Sequence, residues 1–149
     1  MPIKFETGPF AVSVDLGMHC SDININEPAK SEHISGYSYT RYSNEICRAF
    51  INFIQYESPF DYFKGNYEEE TIKSDLISLG ADKDTIYIYE RIIDSKPGAV
   101  GSGYIPKYDS NFYEAGFYVS PRTVCHILVW ENESQMLSIL KTIRVTEKE

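Results

Sequence analysis

Segments with the residue pattern of β-strands follow one another along this chain, and this order limits the possible folds most. Runs of β-branched and aromatic residues predict strands over Thr85–Ile93, Phe112–Val119 and Thr123–Trp130. Only Ser120-Pro121-Arg122 separates the last two strands, which predicts a hairpin. Because strands joined by short turns pair antiparallel, we expect an α+β domain and not alternating strand–helix units.

Three other segments have the periodicity of amphipathic helices, with about 3.6 residues per turn. The first begins at Ser43 or Asn44 and ends before Pro59. The second covers Glu68–Leu79, and the third covers Glu133–Ile143. The apolar face of the first helix contains Ile46, Ala49, Phe50, Phe53 and Ile54.

Two earlier strands complete the predicted fold. Alternating apolar residues indicate strands over Phe10–Leu16 and His33–Thr40, separated by an irregular segment from Met18 to Lys30. A long glycine-containing loop is expected over Asp94–Asn111. The predicted order is β-β-α-α-β-β-β-α, which is a mostly antiparallel sheet of about five strands with three helices. We expect residues 1–149 to form a single domain.

The sequence favours a cytoplasmic location. Its N-terminus lacks the charged, apolar and small-residue regions of a signal peptide. The longest apolar run, Ile127–Trp130, is far shorter than the roughly 20 residues that cross a bilayer, so no membrane association is expected. Three cysteines, at positions 20, 47 and 125, are an odd number and argue against a disulfide framework.

Negative charge is concentrated in the middle of the chain. The formal net charge is −8, and ten acidic but only four basic side chains lie between Glu57 and Asp94. Such a field repels phosphate backbones, which disfavours nucleic-acid binding, and accelerates encounter with basic proteins. A solvated face that keeps the protein soluble is the alternative explanation.

Cysteine and histidine occur together twice, as His19-Cys20 and Cys125-His126, but their spacing disfavours a metal site. Adjacent residues of a strand point to opposite faces, so Cys125 and His126 are not expected to share an ion. A nucleophilic Cys20 with His126 as base and Asp15 as acid is a second possibility, although no basic neighbour activates Cys20. We expect no metal, no cofactor and no catalytic residue.

The acidic stretch and the tyrosines together favour protein binding. Rigid tyrosine rings are enriched at interfaces, and the three consecutive glutamates from Glu68 to Glu70 are expected to form a solvated first helical turn. The predicted partner-binding residues are Asp61, Glu68, Glu69, Glu70, Asp75, Asp82, Asp84, Tyr104, Tyr108 and Tyr113.

The profile of a small, acidic chain without catalytic motifs is similar to that of bacterial immunity proteins that inhibit nuclease toxins. We therefore predict a non-catalytic inhibitor of the immunity or antitoxin type, which neutralises a basic partner by covering its active surface. Two alternatives are a phage-encoded inhibitor of a host defence protein, and a small enzyme or ligand-binding domain in which the segment 94–111 acts as a lid.

Overall fold

The computed structural model describes residues 3–17, 23–30, 34–42, 48–56 and 67–148, and these contain ten strands and two α-helices. The strands are β1 (Ile3–Thr7), β2 (Phe10–Val14), β3 (Ile23–Lys30), β4 (Ile34–Tyr42), β5 (Arg48–Tyr56), β6 (Tyr87–Ile93), β7 (Lys96–Ile105), β8 (Ser110–Ser120), β9 (Thr123–Trp130) and β10 (Arg144–Glu147). The helices are α1 (Tyr67–Ser78) and α2 (Glu133–Thr142).

The strands form two sheets. The small sheet has the order β1-β2-β10, and the large sheet has the order β3-β4-β5-β9-β8-β7-β6. Every pair of neighbouring strands in both sheets is antiparallel. The predicted α+β class with mostly antiparallel strands is confirmed. The predicted sheet of about five strands with three helices is wrong, because within the described residues there are more strands and fewer helices.

One face of the large sheet carries the main hydrophobic core. Along β9, Cys125, Ile127 and Val129 alternate with residues of the opposite face and are 0 % exposed. This face packs against the small sheet and α2, and Phe10 of β2 stacks on Phe53 of β5 with ring centroids 4.6 Å apart. Burying each large side chain stabilises the fold by about 1.5–3 kcal/mol, which holds the two layers together.

Helix α1 covers the opposite face of the large sheet. Its buried residues Ile72 and Leu76 pack over β7, where Gly101 provides the space that a larger residue would fill. A Cβ atom at Gly101 would collide with Ile72. Gly80, two residues after the end of the helix, has a φ of +90°, and the N–H of Ala81 donates to the carbonyl oxygen of Leu76 at 3.0 Å.

The predicted helix between residues 43 and 59 is wrong over the part that the structure describes. Residues Arg48–Tyr56 form β5, which lies between β4 and β9 in the large sheet. Ile51 and Phe53 are buried on the core face, while Phe50 and Ile54 are half-buried on the other face. Because both faces of this strand carry apolar residues, the sequence lacks the two-residue alternation and imitates a helical stripe.

The predicted loop Asp94–Asn111 is also wrong, and with it the proposed lid. Residues Lys96–Ile105 form β7, and β8 begins at Ser110. A two-residue turn joins β6 to β7, with φ values of 50° at Asp94 and 62° at Ser95. Glycine in this segment allows neighbouring strands to approach closely. A Cβ at Gly98 would lie 2.6 Å from the carbonyl oxygen of Gly116 on the neighbouring strand.

The remaining predictions of secondary structure agree with the fold except at one place. The helices near 68–79 and 133–143 and the strands near 10–16, 33–40, 85–93, 112–119 and 123–130 are confirmed to within a few residues. The segment 18–30, predicted to be irregular, contains β3. Neither of the helices in the described part of the chain is long and apolar enough to cross a membrane.

Candidate functional site

A carboxylate and an imidazole meet beneath the N-terminal turn of α1. Glu68, the second residue of the helix, is 3 % exposed, and its Oε2 lies 2.9 Å from Nε2 of His126 on β9. Gly116 on β8 lies directly below this pair. A Cβ atom there would collide with Glu68 Oε2 and would lie 2.8 Å from Cδ2 of His126, so glycine makes the room for the pair.

The prediction that Glu68 belongs to a solvated first turn is therefore wrong. Its two neighbours on the helix differ from it: Glu69 is half-buried and Glu70 is exposed. Consecutive helical residues are rotated by about 100° from one another, so one of three adjacent glutamates can face the sheet while another faces water. Glu68 is excluded as a surface contact for a partner.

A second buried carboxyl group lies on the same face of the sheet. Glu114 of β8 is two residues from Gly116, is 1 % exposed, and forms a side-chain hydrogen bond with Asp75 of α1. Burial raises the pKa of Glu114 to about 10, and the hydrogen bond with Asp75 and the negative charges of Asp75 and Glu68 raise it in addition. With this pKa, Glu114 keeps its proton at pH 7, and its O–H donates a hydrogen bond to the Asp75 carboxylate.

These four residues, Glu68, Asp75, Glu114 and His126, form a buried ionisable cluster between α1 and the large sheet. Within the described residues, Glu68 Oε1 and Glu114 Oε2 are buried without a hydrogen-bond partner. The cluster holds a carboxyl group that burial keeps neutral, near the hydrogen-bonded pair of Glu68 and His126. Because Glu114 is almost fully buried, a substrate could reach it only if α1 moved.

A different set of predicted residues meets at the end of the large sheet where β7 finishes. The N–H of Asp82 donates to the carbonyl oxygen of Tyr104 at 2.8 Å, and the N–H of Tyr104 donates to Oγ1 of Thr85 at 2.9 Å. Asp82 and Asp84 are exposed there, and Asp82 Oδ1 accepts from the N–H of Asp84 at 3.1 Å. These hydrogen bonds hold the short 3₁₀ turn Lys83–Thr85 against the end of β7.

Aromatic rings lie at the same end of the sheet, on both of its faces: Tyr104 is paired with Asn111, whereas Trp130 is paired with Phe112, the next residue of β8. The hydroxyl of Tyr104 donates to Oδ1 of Asp109, and this hydrogen bond is the main reason that the pKa of Tyr104 is raised. Tyr108 is 54 % exposed and contacts Trp130 of β9 edge to face, with ring centroids 5.4 Å apart. Glu131, which follows Trp130, is exposed, and its N–H donates to the carbonyl oxygen of Asn111 at 2.8 Å.

We name this end of the large sheet, with both of its faces, the acidic end. It consists of Asp82, Asp84, Tyr104, Tyr108, Asp109 and Glu131. Two basic residues, Lys83 and Lys107, lie in the same turns, so the four carboxylates leave a net negative charge. Lys107 Nζ lies 5.4 Å from the centroid of the Tyr108 ring and partly covers it.

The other predicted partner-binding residues are distributed elsewhere. Tyr113 is half-buried against the main core, where burial and the negative charge of Glu133 raise its pKa. Asp75 is half-buried beside Glu114, and Glu70 is exposed on α1. Asp61 lies outside the described residues.

The alternative site of Cys20, His126 and Asp15 is not assembled by the described residues. The carbonyl of Asp15 accepts from Ser138 Oγ of α2 at 3.0 Å, on the core side of the large sheet, whereas His126 contacts α1 on the other side. His19 and Cys20 lie outside the described residues.

Cys125 is 0 % exposed, and burial, followed by the negative charges of Asp94 and Glu68, raises the pKa of its thiol well above the usual value. Such a thiol is a poor nucleophile. Among the described residues, no three His, Cys, Asp or Glu side chains lie close enough together to hold a metal ion.

Sequence reasoning missed Glu114 altogether. It lies in Ser110–Ser120, a strand whose residues are nearly all buried, and it is the one acidic side chain of that strand. A single carboxylate in a run with apolar residues on both faces was the available signal, because such a residue must be neutral or partnered. The pairing of Glu114 with residues of α1 could not be read from the strand itself.

Comparison with protein-family models, curated proteins and solved structures gave no match.

Proposed function

We propose that this chain is a non-catalytic, protein-binding inhibitor of the immunity or antitoxin type, which acts in the cytoplasm on a basic protein such as a nuclease toxin. In this proposal the acidic end covers the active surface of the partner. The observation that supports it is the set of hydrogen bonds and ring contacts that brings Asp82, Asp84, Tyr104 and Tyr108 to one end of the large sheet.

The chemistry of the acidic end suits a basic partner. Exposed carboxylates accelerate encounter with a cationic protein and select against acidic ones. The Tyr108 ring is held by Trp130, and the Tyr104 hydroxyl is held by Asp109, so neither side chain loses much conformational freedom on binding. Preorganised aromatic rings of this kind are common among the residues that contribute most to binding energy.

Two of the exposed apolar side chains, Tyr87 and Tyr108, lie near the acidic end, whereas Ile92 lies at the other end of β6. Large hydrophobic residues that are exposed lie, within the described chain, between positions 77 and 108. They are Ile77, Leu79, Tyr87, Ile92 and Tyr108. Exposed apolar groups rimmed by charges are typical of protein-interaction surfaces.

The test begins with affinity capture from the native host, followed by measurement of binding between the purified captured protein and this chain. The triple variant Asp82→Lys, Asp84→Lys, Asp109→Lys should slow association by at least about tenfold at low salt, because three attractive charges become repulsive. Tyr108→Ala should accelerate dissociation by about tenfold or more.

The matched control is Glu147→Lys, an exposed carboxylate on β10 of the small sheet, which contributes no residue to the acidic end. We expect this variant to associate at nearly the wild-type rate. Equal rates for the triple variant and the wild type, or a captured partner that is acidic, would refute the proposal. If the captured partner is a bacterial defence protein and not a toxin, the alternative of a phage-encoded inhibitor is favoured.

A small enzyme is the second candidate, because Glu114 is a protonated acid beside the Glu68–His126 pair. The variant Glu114→Gln separates the two functions. An inhibitor that uses the acidic end should keep full inhibitory activity in this variant, since Glu114 is buried under α1. Loss of biological activity in a folded Glu114→Gln protein would favour chemistry at the buried cluster instead.

A further inference from the structure

The outer face of the small sheet forms a trough, because its central strand carries the shortest side chains. Ala11 and Ser13 of β2 point to this face, between longer side chains on β1 and β10. Neighbouring strands lie about 4.8 Å apart, so the flanking residues rise on both sides of a low floor. The resulting cavity has a volume of about 400 Å³ and is lined by Lys4, Phe5, Glu6, Ala11, Val12, Ser13, Arg144 and Thr146.

The strand register places two cations at one end of this trough. Ser13 is paired with Lys4 on one side and with Arg144 on the other. The Cα atoms of the two basic residues are therefore separated by about 10 Å, twice the strand spacing, and both long side chains can reach one group above Ser13. The Ser13 hydroxyl can donate a third hydrogen bond to that group.

Lys4 and Arg144 both keep N–H donors that can bind a ligand. The ion pairs of the described residues do not include Lys4. Arg144 Nε lies 3.8 Å from Asp94 Oδ1, but the other carboxylate oxygen, Oδ2, already accepts from Lys96 Nζ at 2.8 Å and from the N–H of Val145 at 3.0 Å. Arg144 Nη1 donates to the carbonyl oxygen of Ile143 at 2.7 Å, which together with Asp94 orients the guanidinium, and the Arg144 side chain is 61 % exposed, so its remaining N–H groups can reach a ligand.

The opposite end of the trough is electrically balanced, and the short side chain of Ala11 forms its floor. There Ala11 is paired with Glu6 and Thr146, and the Glu6 carboxylate lies 3.1 Å from Lys148 Nζ. The two rows of residues are about 7 Å apart along the strand, which is the length of a short alkyl chain or one aromatic ring. The trough therefore has a cationic end and an apolar floor within a chain whose net charge is −8.

We propose that this trough binds a small amphipathic oxyanion, with its carboxylate or phosphate between Lys4, Ser13 and Arg144 and its apolar body over Ala11. The guanidinium contributes its remaining N–H donors and its charge to the oxyanion, and Lys4 contributes a point charge. The site is independent of the acidic end and of the inhibitor function proposed above.

The experiment is a titration of the full ¹⁵N-labelled chain, followed by amide chemical shifts, with four probes: hexanoate, hexyl phosphate, hexanol and inorganic phosphate. Saturable shifts at Lys4, Ala11, Ser13 and Thr146 are expected with at least one of the two amphipathic anions, and the anion that binds more tightly identifies the head group. Hexanol lacks the charge and inorganic phosphate lacks the apolar body, so each should bind at least about tenfold more weakly.

Variants assign the binding to the trough. Lys4→Gln should weaken binding of the preferred anion by about tenfold, and Ala11→Leu should abolish it by filling the floor, while neither disturbs the contacts of Asp94. Lys73→Gln, at an exposed lysine of α1, is the matched control and should bind like the wild type. Absence of saturable shifts with both anions, hexanol binding as tightly as the anions, or unchanged binding in Lys4→Gln would overturn the proposal.

Discussion

Replacement of Glu114 by glutamine should make the protein more stable at neutral pH. The carboxyl group of Glu114 has a pKa of about 10 in the folded chain and 4.5 as its ordinary value. Between these values the folded state binds one proton more than the unfolded state. A carboxyl group whose pKa is raised by folding therefore makes stability fall as the pH rises through this window.

The size of the effect follows from the two pKa values. Each pH unit within the window costs about 1.4 kcal/mol, so holding the proton on Glu114 at pH 7 costs about 3 kcal/mol relative to an unfolded, ionised side chain. Glutamine has nearly the same shape and cannot ionise, and its amide can donate to Asp75 as the protonated acid does. We expect a gain of up to about 3 kcal/mol at pH 7 and less than about 1 kcal/mol at pH 5.

The assay is urea denaturation of the wild type and of Glu114→Gln at pH 5, 6, 7 and 8. The difference in the free energy of unfolding between the two proteins should grow with pH. Glu70→Gln is the matched control, since it makes the same chemical change at an exposed position of α1. A stability difference that is independent of pH, or a variant less stable than the wild type at pH 8, would show that Glu114 does not carry a buried proton.

Two further substitutions test the packing and capping described above by the same denaturation measurement at pH 7. Gly116→Ala should destabilise the fold by about 1–3 kcal/mol, because its Cβ collides with Glu68 and crowds His126; unchanged stability would contradict the tight fit of that pair. Asn132→Ala should cost about 1 kcal/mol, because Asn132 Oδ1 caps α2 by accepting from the N–H of Gln135 at 3.0 Å; a loss below about 0.3 kcal/mol would indicate that the cap does not limit stability.

Local sequence patterns were sufficient for α2 and β6 at the surface and also for the buried hairpin of β8 and β9. Helix α2 has a capping residue at Asn132 and one buried side, containing Met136, Ile139 and Leu140, so its periodicity and its start could both be predicted. The strand β6 lies at the edge of the large sheet, and its alternating isoleucines and tyrosines predicted it. In these elements the spacing of polar and apolar residues close together in the sequence is enough to identify the secondary structure.

The sequence by itself thus determined the α+β class, the acidic charge and the elements with an unambiguous local pattern. Only the tertiary structure decided that β5 is a strand, because the spacing of its apolar residues also fits one face of a helix. It also decided that Glu68 is buried while Glu70 is exposed, since the space for Glu68 comes from Gly116, 48 residues further along the chain. The protonation of Glu114 and the convergence of Lys4 with Arg144 likewise depend on residues brought together by strand register, and no local pattern carries that information.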